Sequence, residues 1–199
     1  MKVKLITLTT PEIQEYANIT NENKNKYCIK NNIEFKHYPD KLDARPPSMS
    51  KIMAIFKNLH SCDYVVWVDA DAVITDMNFD IKNELKKLPA DKHFFFAKDW
   101  NGINAGVIVV RASIESKLYL IEIMQMLHDY IDHPWWEQGA IHELYKTNKG
   151  FADMVGELDK SIWNCYTNEG GAKFILHLAS ISHKERVRVF NEPETWSKI

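Results

Sequence analysis

The chain has 199 residues, 45% hydrophobic and 26% charged, with a formal net charge of −2, which fits one ordinary globular domain over residues 1–199 with enough chain for a core. Its lysines are scattered (Lys30, Lys36, Lys41) or merely paired (Lys86-Lys87), so nucleic acid is not an expected partner, and no run of about eighteen apolar residues is present to span a membrane. Cys28, Cys62 and Cys165 are too widely spaced for a disulfide framework or a Cys-x-x-Cys zinc site and read as reduced thiols, while the N-terminus lacks the apolar core of a signal peptide.

Residues 2–8 predict a first strand ending at Thr9-Thr10-Pro11, with Pro11 in the first turn of a helix and Thr10 as its cap. A polar helix over 12–31 and a short strand over 33–38 complete a β-α-β opening, the mark of a parallel sheet. Residues 40–47 read as a loop, and Ser48 or Ser50 starts a helix with Ile52, Ile55, Phe56 and Leu59 on one face. A strand follows at Tyr64–Val68, then a short helix over 83–88, a strand over 93–97, and a strand over 104–111 entered through Asn-x-Gly. Ser113 caps a long helix bearing Ile114, Leu118, Ile121 and Leu127, and Pro134 opens another through Trp135, Trp136 and Ile141; the Leu, Ile and Phe residues on these helices are expected in the core. Residues 174–179 form a last strand, and the charged tail 182–199 gives no firm element.

The chemistry concentrates where Tyr64-Val65-Val66-Trp67-Val68 stops on Asp69-Ala70-Asp71. The run is apolar and β-branched, as buried strands are. Open α/β sheets bind ligands just beyond the carboxyl ends of their strands. Two carboxylates there suit a hard divalent cation, Mg²⁺ or Mn²⁺, able to clamp a diphosphate. Asp-x-Asp is short, and a carboxylate after a strand also serves as a turn or helix cap, so the context has to decide.

Several segments in order supply that context. Trp67-Val68-Asp69-Ala70-Asp71-Ala72-Val73-Ile74-Thr75-Asp76-Met77 resembles the metal-binding segment of glycosyltransferase family 34, which includes fungal α-galactosyl- and α-mannosyltransferases and plant xyloglucan xylosyltransferases. Trp100-Asn101-Gly102-Ile103-Asn104-Ala105-Gly106 is similar to that family's Asn-Thr-Gly strand, Trp136-Glu137-Gln138-Gly139-Ala140 to its Asp-Gln-Ser-Ala helix, Trp163-Asn164-Cys165-Tyr166 to an Asn-Ser-Tyr loop, and Phe174-Ile175-Leu176-His177-Leu178-Ala179 to its final strand. The resemblance implies an α/β protein of the GT-A type, a nucleotide-binding sandwich with a mostly parallel central sheet flanked by helices.

The resemblance also implies roles. Asp69 sits near the ribose and the metal, Asp71 is the principal carboxylate ligand, and His177 completes the shell; strand alternation isolates His177 from Leu176 and Leu178. An imidazole ligand favours Mn²⁺ over Mg²⁺. Thr7, Leu8, Thr9 and Thr10 close the first strand, where backbone groups can read a uracil, or simply end it. Lys51 resembles a family Ser-Lys pair and either reaches the phosphates or is an exposed helix charge. The sugar pocket is read from Asn104, Gly106, Glu137 and Gln138. Gly106 leaves room for a ligand or for packing. Glu137 is a general base if stereochemistry inverts; Gln138 faces the reacting carbon if it is retained. Asp99 and Asp153 are lesser candidates for that base. Trp100, Trp135, Trp136 and Trp163 either stack on sugars or pack in the core. The family places a Lys five residues after the His; here that position is Ser182, with Lys184 and Arg186 as substitutes for clamping the diphosphate.

The expectation is a Mn²⁺-dependent glycosyltransferase moving a hexose or pentose from a UDP-sugar (glucose, galactose or xylose type) to a hydroxyl of a glycan or glycolipid. The chain is shorter than the family's usual catalytic domain and carries no anchor, which points to a cytoplasmic protein of bacterial or viral type, or to one domain of a longer chain. A nucleotidyltransferase is the rival enzyme, disfavoured because Thr-Thr-Pro-Glu stands where a Gly-rich basic loop belongs. A catalytically silent sugar-nucleotide-binding module is the rival from another class.

Overall fold

A computed structural model describes residues 1–196, apart from the side chain of Thr195. In chain order the elements are β1 (Val3–Leu8), α1 (Gln14–Lys30), β2 (Glu34–Tyr38), α2 (Ser50–Asn58), β3 (Tyr64–Val68), β4 (Ala72–Ile74), α3 (Ile81–Lys86), β5 (Phe94–Asp99), β6 (Gly102–Arg111), α4 (Ile114–Met126), α5 (Trp136–Thr147), α6 (Lys149–Asp153), β7 (Val155–Glu157), α7 (Lys160–Trp163), β8 (Ile175–His177), α8 (His183–Asn191) and α9 (Pro193–Trp196). One sheet runs β2-β1-β3-β6-β5-β7, and β4 and β8 form a separate antiparallel ribbon. The pairings leave β6 alone opposed to its fellow strands, so the sheet is mostly parallel as expected.

Strand alternation sorts the core into two layers. Ile6, Leu8, Val65, Trp67, Ile108 and Val110 face α2, α4 and α5. Val3, Leu5, Val66, Val68, Val107 and Val109 face α1, α3 and α7. The parity places Asp69, next in register after Trp67, on the side of α2, and Thr7 on the side of α1. The β4–β8 ribbon packs its outer residues Val73 and Leu176 against Tyr16 and Ala17 of α1 and Phe190 of α8.

Several expected elements shift. Thr10 makes no side-chain cap; Pro11–Ile13 is a 3-10 turn that feeds α1. The short helix begins two residues before 83, because the Asp80 side chain accepts from the Asn83 N–H and caps it. Ser113 does cap α4, accepting from Ser116 N–H. The helix then buries Ser116, Leu120 and Ile123, with Leu127 beyond it, while Ile114, Leu118 and Ile121 are exposed. The expectation that these last three are core is corrected: α4 is apolar on two faces, and the sheet takes only one. The tail from 182 holds α8, capped by Ser182, and α9, with 197–199 outside the described residues.

Candidate active site

Beyond β3 the chain turns sharply, with Ala72 N–H donating to Asp69 C=O (3.2 Å), and returns as β4. Its antiparallel partner β8 sets Ala72 opposite His177, and Leu178 N–H donates to Asp71 C=O at 2.9 Å. A ribbon of three-residue strands thus carries an imidazole to carboxylates about a hundred residues away in sequence. Ligand atoms of Asp69, Asp71 and His177 all lie within 4.8 Å of one another.

β6 supplies the opposite wall. Its register with β5 jumps, Phe96 pairing Ile108 but Ala97 pairing Asn104, so residues 105–107 have no β5 partner. A bulge of this kind frees backbone groups that must bond elsewhere. Here they do: Ala105 N–H donates to Gln138 Oε1 (2.9 Å), Ala105 C=O accepts from Lys51 Nζ (2.7 Å), Gly106 N–H donates to Asn104 Oδ1 (2.8 Å), and Gly106 C=O accepts from Asp69 N–H (2.9 Å). A Cβ on Gly106 would fall 2.1 Å from His177 Cε1, so the glycine is the space in which the imidazole sits.

The same bonds fix the histidine's tautomer. Gly106 N–H can only donate, so Asn104 turns its oxygen to it. Asn164 then donates its amide to that oxygen (2.8 Å) and offers its own oxygen to His177 Nδ1 (2.8 Å). Nδ1 therefore carries a proton and Nε2 faces Asp71 Oδ1 at 3.2 Å. An imidazole nitrogen and two carboxylates, with the outer nitrogen tied to an amide, are a donor set and support that fit a divalent metal ion. Asn104 spends its amide hydrogens on Asp99 Oδ2 and the Tyr166 hydroxyl, and Tyr166 donates to Asp99 Oδ2 (2.7 Å). Burial and then Asp99 push the Tyr166 phenol well up.

Lys51 is not an exposed charge. It is 2% exposed, with Nζ 2.7 Å from Glu137 Oε1 and 3.1 Å from Asp69 Oδ1. Burial alone would lower its pKa, but the two carboxylates override it and hold the ammonium charged. Asp69 Oδ1 also accepts from Trp67 Nε1 at 2.6 Å. Burial pushes the Asp69 carboxyl up against the pull of Lys51. Asp71 goes the other way: His177 and Arg186, whose Nη2 lies 2.9 Å from Oδ2, outweigh burial and hold it down to about 2.

These groups line a cavity of about 260 Å³ that also takes in Asp99, Trp100, Trp135, Trp136, Glu137 and Gln138. Glu137 Oε2 is buried and has no partner among the described residues. Gln138 has given its oxygen to Ala105, which leaves its amide hydrogens for a ligand. A second groove of about 440 Å³ adjoins the first, shares Ser48, Asp69, Asp71, Trp136 and Arg186 with it, and is walled by Leu8, Thr9 and Thr10. Thr9 Oγ1 is held by His37 Nε2 at 2.7 Å, while Thr7 is buried in the layer under α1 and lines neither cavity.

The fold thus gathers Asp69, Asp71, His177, Lys51, Asn104, Gly106, Glu137 and Gln138 around one chamber, with Leu8, Thr9 and Thr10 beside it. Lys184 is exposed on α8 and lines neither cavity; Arg186, half a turn on, does. Asp153 lies on the surface with Lys149, 2.7 Å away. Trp163 is buried between Phe79 and Phe174, a core residue with no face for a sugar. Asn164 and Tyr166 sit in a recognisable motif, but the relay they form was missed, because only the fold brings them to Asn104.

Comparisons with known proteins agree with this geometry. The model of the galactosyl transferase GMA12/MNN10 family matches residues 5–89 and 81–187. A probable glycosyltransferase 6 of Oryza sativa subsp. indica is 31% identical over 100 residues, covering 45% of this chain and 21% of that protein, so the match spans about a fifth of the curated relative's length. Among solved structures, a glycosyltransferase involved in glycosylation of the PBCV-1 major capsid superposes with a TM-score of 0.73 at 16% identity, covering 96% of this chain and 100% of that one. The galactosyltransferase LgtC, in complex with donor and acceptor sugar analogs, gives 0.63 at 11% identity, with 95% of each chain covered. These likenesses give the fold, GT-A, and the family model, which takes in most of the chain, gives the lineage: the protein belongs to the galactosyl transferase GMA12/MNN10 family.

Proposed function

We propose that the protein is a metal-dependent glycosyltransferase that moves a sugar from a UDP-sugar to a hydroxyl of a glycan or glycolipid. The observation that carries this reading is the Asp69–Asp71–His177 cluster on the floor of a chamber that opens sideways into the groove walled by Leu8, Thr9 and Thr10. The groove suits a nucleoside, the cluster a cation with its diphosphate, and the chamber a sugar. The donor set favours Mn²⁺, with Mg²⁺ as the substitute. Such an ion supplies charge stabilisation to a nucleoside diphosphate as it leaves.

The chain's own residues do the rest. Arg186 is the cation at the junction of groove and chamber and is the residue that can meet the diphosphate, in place of the Lys the family carries. Glu137, held by Lys51 through Oε1, offers the buried Oε2 to a hydroxyl of the donor sugar. Gln138, locked by the Ala105 N–H, turns its amide toward the same space. With one oxygen fixed on Lys51 and the other turned to the chamber, Glu137 is built to position a hydroxyl, which fits retention better than inversion. Free thiols at Cys28, Cys62 and Cys165 suit a reducing, cytoplasmic setting, and no helix among the described residues is long and apolar enough to cross a membrane.

Calorimetric titration of UDP with and without Mn²⁺, repeated on Asp71→Ala and His177→Ala, tests the site, and UDP release from UDP-glucose, UDP-galactose and UDP-xylose tests the reaction. Mn²⁺-dependent binding lost in both variants, with turnover, is the expected result. Binding without turnover makes the protein a sugar-nucleotide-binding module, and incorporation of the nucleoside monophosphate makes it a nucleotidyltransferase.

A further inference from the structure

Trp135 and Trp136 are consecutive, yet they wall different spaces. Trp136 borders the metal chamber and the nucleoside groove. Trp135 borders the metal chamber and a third cavity of about 340 Å³ on the far side. The chain parts the two rings at Trp136, whose φ of 39° is left-handed, a conformation that is strained for a bulky residue and clusters at ligand sites.

The third cavity has a firm wall. His142 Nε2 lies 2.6 Å from Ile103 C=O, and its ring meets Trp135 edge-on at 5.7 Å. Gly102, at φ 102°, leaves room for that imidazole; a Cβ would come 3.2 Å from His142 Cε1. The lining combines the aromatic residues Trp135 and Tyr145 with Asn101, Lys98 and Lys146. Lys98 is engaged by Glu157 at 2.9 Å. Aromatic faces ringed by amide, phenol and ammonium donors match a sugar ring, apolar on its face and hydroxylated at its edge. Asn101 and Trp135 line both this cavity and the metal chamber, so the two adjoin.

We propose that this cavity is an acceptor subsite, holding the sugar next to the one that receives the transferred residue. The acceptor is then a disaccharide or longer, not a lone sugar or a lipid alcohol. The proposal rests on the glycosyl-transfer reading above and deepens it.

The test uses protein labelled with ¹⁵N at its indoles, loaded with UDP and Mn²⁺, and titrated with gluco-, galacto-, manno- and cello-series sugars from one to four residues. The expected result is a shift of the Trp135 indole resonance that saturates at least about tenfold lower in concentration for a disaccharide or longer than for the monosaccharide of one series, with that advantage lost in Tyr145→Ala and largely kept in Tyr145→Phe. Equal affinity at every length, or no Trp135 response in any series, overturns the subsite. Failure of UDP to bind at the outset overturns the glycosyltransferase reading and the subsite with it, so the two failures are distinguishable.

Discussion

Two lysines, Lys51 and Lys24, are buried on opposite sides of the sheet near the same pair of aspartates, and the protein treats them differently. Lys51, on α2, touches Asp69, Glu137 and Ala105 C=O. Lys24, on α1, is 0% exposed, and its Nζ has no hydrogen-bond partner among the described residues. Burial holds the Lys24 ammonium down to about 7, although Asp71 and Asp69 pull the other way. On the same side of the sheet, Thr7 Oγ1 and Asn21 Oδ1 are also buried without partners among the described residues. On the cleft side the unpartnered buried atoms, Glu137 Oε2 and Ser48 Oγ, belong to residues that line the chamber, where a ligand can meet them. The difference teaches that positional accuracy is concentrated on the face that meets a ligand, while the face behind it tolerates an unfavourable group.

Exchanging each lysine for methionine breaks the comparison most sharply. Lys51→Met leaves Asp69 and Glu137 buried without their cation; removing one partner of a buried ion pair costs about 3–5 kcal/mol. Denaturant unfolding is expected to show that loss, and UDP release to fall at least about a hundredfold. A stable, active variant would mean that the pair is incidental.

Lys24→Met is expected to do the reverse. In the unfolded chain a lysine titrates near 10.5, and in the fold near 7. Between those values the unfolded chain holds a proton that the folded one lacks, so stability rises with pH across that window. Below 7 the full cost of a buried ammonium is present, on the order of several kcal/mol. Lys24→Met therefore gains most stability at pH 6 and least near pH 10, as thermal unfolding at the two would show. An equal gain at both would deny the shifted amine, and a loss would mean that Lys24 has a bonding partner.

The sequence carried β3, its two aspartates and the isolation of His177 between two leucines, because strand period and strand end are local properties. It did not carry β4, whose Ala72-Val73-Ile74 becomes a strand only against residues 175–177. Lys51 in Ser-Lys-Ile reads equally as a phosphate-reaching group or a surface charge until Glu137, 86 residues on, is folded against it. The α4 stripe went to the wrong face since Ile114, Leu118 and Ile121 repeat with the same period as Leu120, Ile123 and Leu127. Arg186 was legible as a candidate but could not be separated from Lys184 before α8 fixed which side of the helix met Asp71.

A smaller change probes how tightly the cleft face is packed. Gly106→Ala sets a methyl 2.1 Å from His177 Cε1 and 2.5 Å from Nδ1, so the imidazole or the bulge has to move. Overpacking of this kind costs about 1–3 kcal/mol. The loss in Mn²⁺-dependent UDP affinity should exceed what that stability change alone would bring, because the displaced ring is a proposed ligand. Unaltered affinity would show that His177 is not one.

The smallest expected effect comes from Asn164→Ala, which touches neither nucleotide nor metal. It removes the oxygen that holds His177 Nδ1–H and the amide that donates to Asn104. Without that acceptor the imidazole is free to take the other tautomer and turn a proton toward Asp71. Loss of such an outer partner lowers metal affinity by about 10–100-fold, so Mn²⁺ titration monitored by UDP binding should shift to higher concentration while saturating at the same level. Asn164→Asp keeps an acceptor for the histidine but loses the donor to Asn104, and separates the two halves of the relay. If it binds Mn²⁺ as the unaltered protein does, the histidine's tautomer is what Asn164 controls; if it fails like the alanine, the contribution runs through Asn104 and the β6 bulge, which places the accuracy of the cleft in its backbone as much as in its ligands.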